Sequence, residues 1–110
     1  FVVKKSDLND FFVNKLDALK LNDQEISDFI NYWVPIIDKE KSEYIYISFL
    51  FNKQVEQLAR IDYSTSPDSE IRVLMVYKKV NENYSVEKLI LPQNSREGFT
   101  VVEWGGAKLP

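Results

Sequence analysis

Apolar residues recur at helical spacing from near the start of the chain. Leu8, Phe11, Phe12, Leu16 and Leu19 share one face of a helix expected over residues 6–20. Asp7, Asn9, Asp10, Asn14, Lys15 and Asp17 fill the other face. Ser6 is the expected N-cap, with Asp7 and Asp10 near the positive end of the helix dipole. A second helix is expected from residue 22 to 34 or beyond. Asn22 and Glu25 have the spacing of a capping box, and Leu21 and Ile26 that of a hydrophobic staple. Its buried stripe is Ile26, Phe29, Ile30, Trp33 and Ile37. Pro35 lies inside that pattern and removes the hydrogen bond to the Asn31 carbonyl, so a kink or a tightened turn is expected there.

After Ser42 the period changes. Tyr44 to Phe51 is β-branched and aromatic with hardly a polar residue, the pattern of a central strand covered on both faces. Val55 to Tyr63 alternates and predicts a half-exposed strand. Residues 64–69 form a loop. Ile71 to Val80 predicts a strand with Ile71, Val73, Met75 and Tyr77 on one face and Arg72, Leu74, Val76 and Lys78 on the other. Asn81 to Asn83 is a turn, and Val86 to Leu91 a shorter strand closed by Pro92. Phe99 to Trp104 is the last strand. Gly98 frees its entry, and Gly105-Gly106 lets the chain turn away afterwards. Phe1-Val2-Val3 reads as a fragment of a strand.

Helices first and strands after predict an α+β fold. The expectation is two N-terminal helices packed on one face of a four- or five-stranded, mainly antiparallel sheet. Short connections between successive strands favour antiparallel neighbours. The 110 residues make a single domain, 1–110. Its opening on a strand fragment suggests excision from a larger protein.

Composition narrows the chemistry. The chain has neither cysteine nor histidine. Disulfides, thiolate metal sites, and Ser-His or Cys-His nucleophilic catalysis are therefore out of reach. Its glycines are confined to positions 98, 105 and 106, so no glycine-rich phosphate loop precedes a helix. No cofactor is expected. Residues 1–42 carry six basic and eight acidic side chains, and residues 43–110 eight and nine, so neither half is polarised. Nucleic-acid binding leans on clustered cations, and none is expected here. No apolar run has the length of a membrane span.

Carboxylates remain. Glu25 with Asp28, and Glu97 with Glu103, are the pairs that a carboxylate-based hydrolase could use. Capping and a solvated helix face explain the first pair more simply. A loop around Asp62, Ser64, Thr65, Asp68 and Glu70 holds oxygen ligands without the spacing of a calcium loop. Aromatics are abundant, at 14% of residues, and Tyr and Trp serve sheet faces structurally as well as ligands. Tyr32, off the buried stripe, and Trp104, beside the glycines, are the exposed candidates. Strand alternation puts Glu103 and Trp104 on opposite faces, so only one of them points inward. A buried Glu103 would need a cation, with Arg72 or Arg96 available.

Three segments carry a resemblance. They are Leu21 to Pro35, with its Asp28-Phe29-Ile30-x-Tyr32-Trp33-x-Pro35 pattern, Ile71 to Lys78, and the closing Arg96-Glu97-Gly98-Phe99-Thr100-Val101-Val102-Glu103-Trp104-Gly105-Gly106. With Pro67-Asp68, they resemble a domain of uncharacterised bacterial proteins, many from clostridia and related anaerobes and many of secreted or surface-attached type. The resemblance implies an extracellular or cell-envelope setting and further domains in the same parent chain. It implies no catalytic residue. The expectation is a non-catalytic interaction or architectural domain whose partner is a protein or a glycan. A small-ligand or glycan-binding module is the alternative, and a carboxylate-based hydrolase a more distant one. The candidate binding residues are Trp104, Glu103, Tyr32 and Arg96.

Overall fold

The computed structural model describes residues 1–110. Strand β1 (Val2–Lys4) leads through one 3-10 turn (Lys5–Asp7) into helix α1 (Leu8–Ala18). Helix α2 (Asp23–Asp38), strand β2 (Tyr44–Phe51), helix α3 (Asn52–Leu58), strand β3 (Ser69–Val80) and strand β4 (Thr100–Lys108) follow. The chain is α+β, with a four-stranded sheet in the order β1-β2-β3-β4. Two pairings are antiparallel, β1 with β2 and β2 with β3, while β3 and β4 run parallel.

The helices form where the apolar stripes predict them. Helix α2 starts on the expected capping box: the Glu25 N–H donates to Asn22 Oδ1 (2.8 Å), and the Asn22 N–H donates to Glu25 Oε1 (2.7 Å). Two of the orphan donors of the first turn are thereby satisfied. The helix continues through Pro35 to Asp38, with Pro35 on the solvent-exposed side. Helix α1 starts later than the sequence suggests. Asp7, not Ser6, occupies the N-cap and makes no side-chain bond there, because the 3-10 turn takes residues 5–7. Lys20, at φ 73°, ends α1 in the left-handed region.

Both helices cover one face of the sheet. Leu8, Phe12 and Leu16 of α1 and Ile26, Phe29 and Ile37 of α2 are buried against Ile45, Ile47 and Phe49 of β2 and Ile71, Val73, Met75 and Tyr77 of β3. The register aligns Ile47 with Tyr77 and Phe49 with Met75, so the apolar sets of the two central strands coincide.

Four expected features differ. Residues 55–63 do not form a strand: α3 occupies Asn52–Leu58, and residues 59–68 are irregular. β2 pairs directly with β3, so the sheet has no vacancy for an intervening strand. Of the alternating apolar residues only Val55 is buried, while Leu58 and Ile61 are exposed. Gln54 Oε1 accepts from the Phe51 N–H (3.0 Å) and closes the first turn instead. Residues 86–91 are also not a strand. Leu89 and Leu91 lean on the core while Ile90 is 80% exposed, so the alternation reflects an extended chain crossing the protein without a ladder. That crossing, residues 81–99, carries the chain back to the other end of β3, which is why β4 is parallel and not antiparallel. Finally, β4 does not end at Trp104. Gly105 and Gly106 lie inside it, and the strand continues to Lys108.

Candidate functional site: the outer strand and its two faces

β4 is an outermost strand, and the four candidate binding residues are placed in relation to it. On the helix side, Trp104 lies beneath α2. Its ring centroid is 5.3 Å from that of Phe29, edge to face, and 6.3 Å from that of Tyr32. Tyr32 is exposed as expected, at 57%, but Trp104 is not: Phe29 of α2 packs over it, and it is half-buried against the core. Two residues further on, Gly106 permits a close approach of α2. A Cβ at this position would lie 2.7 Å from Trp33 Cζ2.

On the opposite face, Glu103 meets Arg72. Glu103 Oε1 accepts from Arg72 Nε (3.0 Å) and Nη2 (2.9 Å). Arg72 Nη2 also donates to the Ala59 carbonyl, and the Arg72 N–H donates to Asn52 Oδ1 (2.9 Å). Arg72 is 1% exposed, whereas the Glu103 side chain is 42% exposed. Arg72 thus holds α3 through its backbone N–H, and its guanidinium ties the chain after α3 to β4 across β3. Of the two cations available to Glu103, Arg72 is the partner. Tyr63 and Glu70 lie beside this pair; the neighbouring Glu70 and burial raise the Tyr63 phenol above its usual value.

Arg96 sits elsewhere. Its Nη1 donates to Glu25 Oε1 (2.6 Å) and to the Lys20 carbonyl (3.0 Å), and Nη2 donates to Glu25 Oε2 (3.2 Å). It fastens the crossing segment to the α1–α2 turn. Burial pushes the Glu25 carboxyl up, but the bonds from Arg96 and from the Asn22 N–H outweigh it, and its pKa falls below the usual carboxylate value. The structure therefore brings Trp104 and Tyr32 together, sets Glu103 on the other face, and leaves Arg96 apart. None of the four lines any of the shallow hollows on the surface.

The other carboxylates considered from sequence are held by local bonds. Asp28 Oδ1 accepts from Gln24 Nε2 (2.8 Å). Asp68 Oδ2 accepts from the Phe99 N–H (2.8 Å) and packs against Gly98, which has φ 59°. Asp62 pairs with Arg60 (3.1 Å). Glu97 serves through its backbone: its carbonyl accepts from Ser69 Oγ (3.1 Å), and its N–H donates to the same oxygen (2.9 Å).

The feature that sequence reasoning missed is the free edge of β4. In a parallel ladder, alternate residues direct both N–H and C=O to the neighbour. The Ser69 N–H donates to the Phe99 carbonyl and the Leu109 N–H to the Tyr77 carbonyl, so the odd-numbered residues of β4 face β3. Thr100, Val102, Trp104, Gly106 and Lys108 consequently direct their backbone groups outward, where no residue of the chain takes them up. Nothing in the sequence signals this directly, since it depends on β4 being both parallel and outermost. Comparisons with protein-family models, curated proteins and solved structures give no match. No helix is long and apolar enough to cross a membrane.

Proposed function

We infer that the chain is a non-catalytic interaction domain that joins other polypeptides through the outer edge of β4. The observation that carries this is the unpaired, nine-residue edge strand. Edge strands in monomeric proteins are usually kept short, interrupted by proline or covered, because bare N–H and C=O rows recruit other strands. β4 does not follow that rule: it contains no proline, and Trp104 stands at its middle. A partner that adds a strand here gains main-chain hydrogen bonds along the edge, with alternate side chains supplying selectivity.

The extracellular bacterial setting belongs to the same proposal and rests on the resemblance of the Asp28–Pro35 and Arg96–Gly106 segments. Exposed Tyr32 beside half-buried Trp104 supports the glycan alternative, as a small aromatic platform. Selection of extended peptides on the immobilised chain tests the main reading. Binders are expected, and they should lose affinity at least tenfold for Val102→Pro, which deletes an outward N–H. Binders that ignore this substitution, or a glycan array that responds while no peptide binds, would remove β4 from the role.

A further inference from the structure

We propose that the strand seated on β4 is β4 of a second copy, antiparallel, with the two-fold axis at Trp104. This rests on the interaction reading above and names its partner. In this register Trp104 faces its own counterpart, Val102 faces Gly106, and Thr100 faces Lys108. All three are pairs of outward-directed residues, the type that exchanges both backbone hydrogen bonds in an antiparallel ladder. The pairing uses the whole strand from Thr100 to Lys108. Sliding the register by two residues toward the strand's start would set Glu103 against Glu103, a like-charge pair that opposes association. With the axis at Trp104, Glu103 instead faces Gly105, whose missing side chain leaves the carboxylate room and water.

The bulk along the edge is also self-complementary. Gly106 is bare because Trp33 of its own chain stands over it. Val102 of the second copy, arriving opposite Gly106, would sit beside that indole. Tyr32, 57% exposed and 6.3 Å from the Trp104 ring, lies on the helix above the axis. Two copies would bring their α2 helices side by side there and cover both tyrosines. The product is an eight-stranded sheet, a common size for an open sheet, whose remaining edges are the two short β1 strands.

Sedimentation equilibrium across a wide concentration range tests this. Wild type is expected to pass from 12.9 kDa to about twice that mass as concentration rises. Val102→Pro should remain a single chain and stay folded, with a urea midpoint lowered only modestly from that of the dilute wild type: the deleted N–H makes no bond within the chain, and the cost is the valine side chain's packing at the margin of the core. Two substitutions at Thr100 carry the test of register and do not depend on how proline is tolerated. In a Glu40→Gln background, which frees Lys108 from its ion pair with Glu40 of its own chain, Thr100→Glu sets a carboxylate opposite Lys108 and should tighten the dimer, and Thr100→Lys should loosen it, each by about two- to five-fold. Shifts of the same sign, or a dimer that Val102→Pro leaves intact, would overturn the pairing. A wild type that stays monomeric yet captures extended peptides through the edge overturns the second copy and keeps the interaction reading. A monomer that captures none overturns both.

Discussion

Arg72 and Glu103 show how unequal the two ends of one ion pair can be. The guanidinium is 1% exposed, and the carboxylate side chain 42% exposed. Water can replace the partner of Glu103 but not that of Arg72. Removing the carboxylate strands a buried cation, whereas removing the cation frees a carboxylate to hydrate. Glu103→Ala should therefore cost more than Arg72→Met: about 2–4 kcal/mol in urea denaturation, with part of the guanidinium's charge still met by the Ala59 carbonyl. Equal losses would mean that the pair is solvated as a unit. Gly106 makes a second residue-level case. A methyl group at that position would meet Trp33 at 2.7 Å, so Gly106→Ala should destabilise by about 1–3 kcal/mol through overpacking. Combining it with Trp33→Phe should recover part of that loss, and strict additivity would contradict the contact. Glu25 supplies a pH signature. Its folded-state pKa lies below the ordinary value of 4.5, so its stabilisation is fully present above that pH and is lost as pH falls through the depressed value. Glu25→Gln keeps an oxygen for the capping box and removes the charge. The stability gap between wild type and this variant should be present at neutral pH and close in acid; a gap that persists unchanged in acid would rule out the charge as its source.

Helix α2 and strand β3 were the most legible elements, because each advertises its burial twice. α2 carries both the Asn22–Glu25 cap and the Ile26–Phe29–Ile37 stripe, and both are realised. In β3, Ile71, Val73, Met75 and Tyr77 form the core face as their alternation implies. The connections were less legible. Alternation in residues 55–63 and 86–91 is a local pattern, and it yields a strand only where the sheet has a free neighbour. Both segments adjoin β3 in sequence, and β3 is already flanked by β2 and β4, so neither can pair with it. Glycine was misleading in the same way. Gly98 adopts the positive φ that a turn exploits, while Gly105 and Gly106 are strand residues, and a long-range contact with Trp33 explains why position 106 is bare. Among the site candidates, period-two geometry placed Trp104 and Glu103 on opposite faces without fixing which of them turns inward, and charge offered Glu103 either Arg72 or Arg96; the packing of Trp104 under Phe29 and the choice of Arg72 are set by tertiary contacts. The lock between Arg96 and Glu25 was not legible either, because the two lie 71 residues apart in sequence. At this scale the ladder itself makes a prediction. In the dilute chain the amides of Val101, Glu103, Gly105 and Ala107 should be protected from hydrogen exchange by β3, with those of Val102, Trp104 and Gly106 exchanging freely. Uniform protection along β4 would show that something within the chain already covers the edge.

The whole molecule is a sheet with one blunt side and one open side. Helices α1 and α2 seal one face, and the crossing segment and α3 lie on other connections around it, but no element lies alongside β4 in the sheet. β1 has three residues at its edge, and β4 presents nine. This asymmetry is why association, and not a pocket, carries the functional reading. Charge fits the same reading: at a net −3, copies of the chain repel one another only weakly at ordinary ionic strength. The most direct test of the central claim is residue-resolved hydrogen exchange on β4, compared between the dilute chain and the chain saturated with its strand partner. Protection that appears on association at Val102, Trp104 and Gly106, turning the alternating pattern into a continuous one, is the predicted result. Association that leaves these three amides as exposed as before would contradict it.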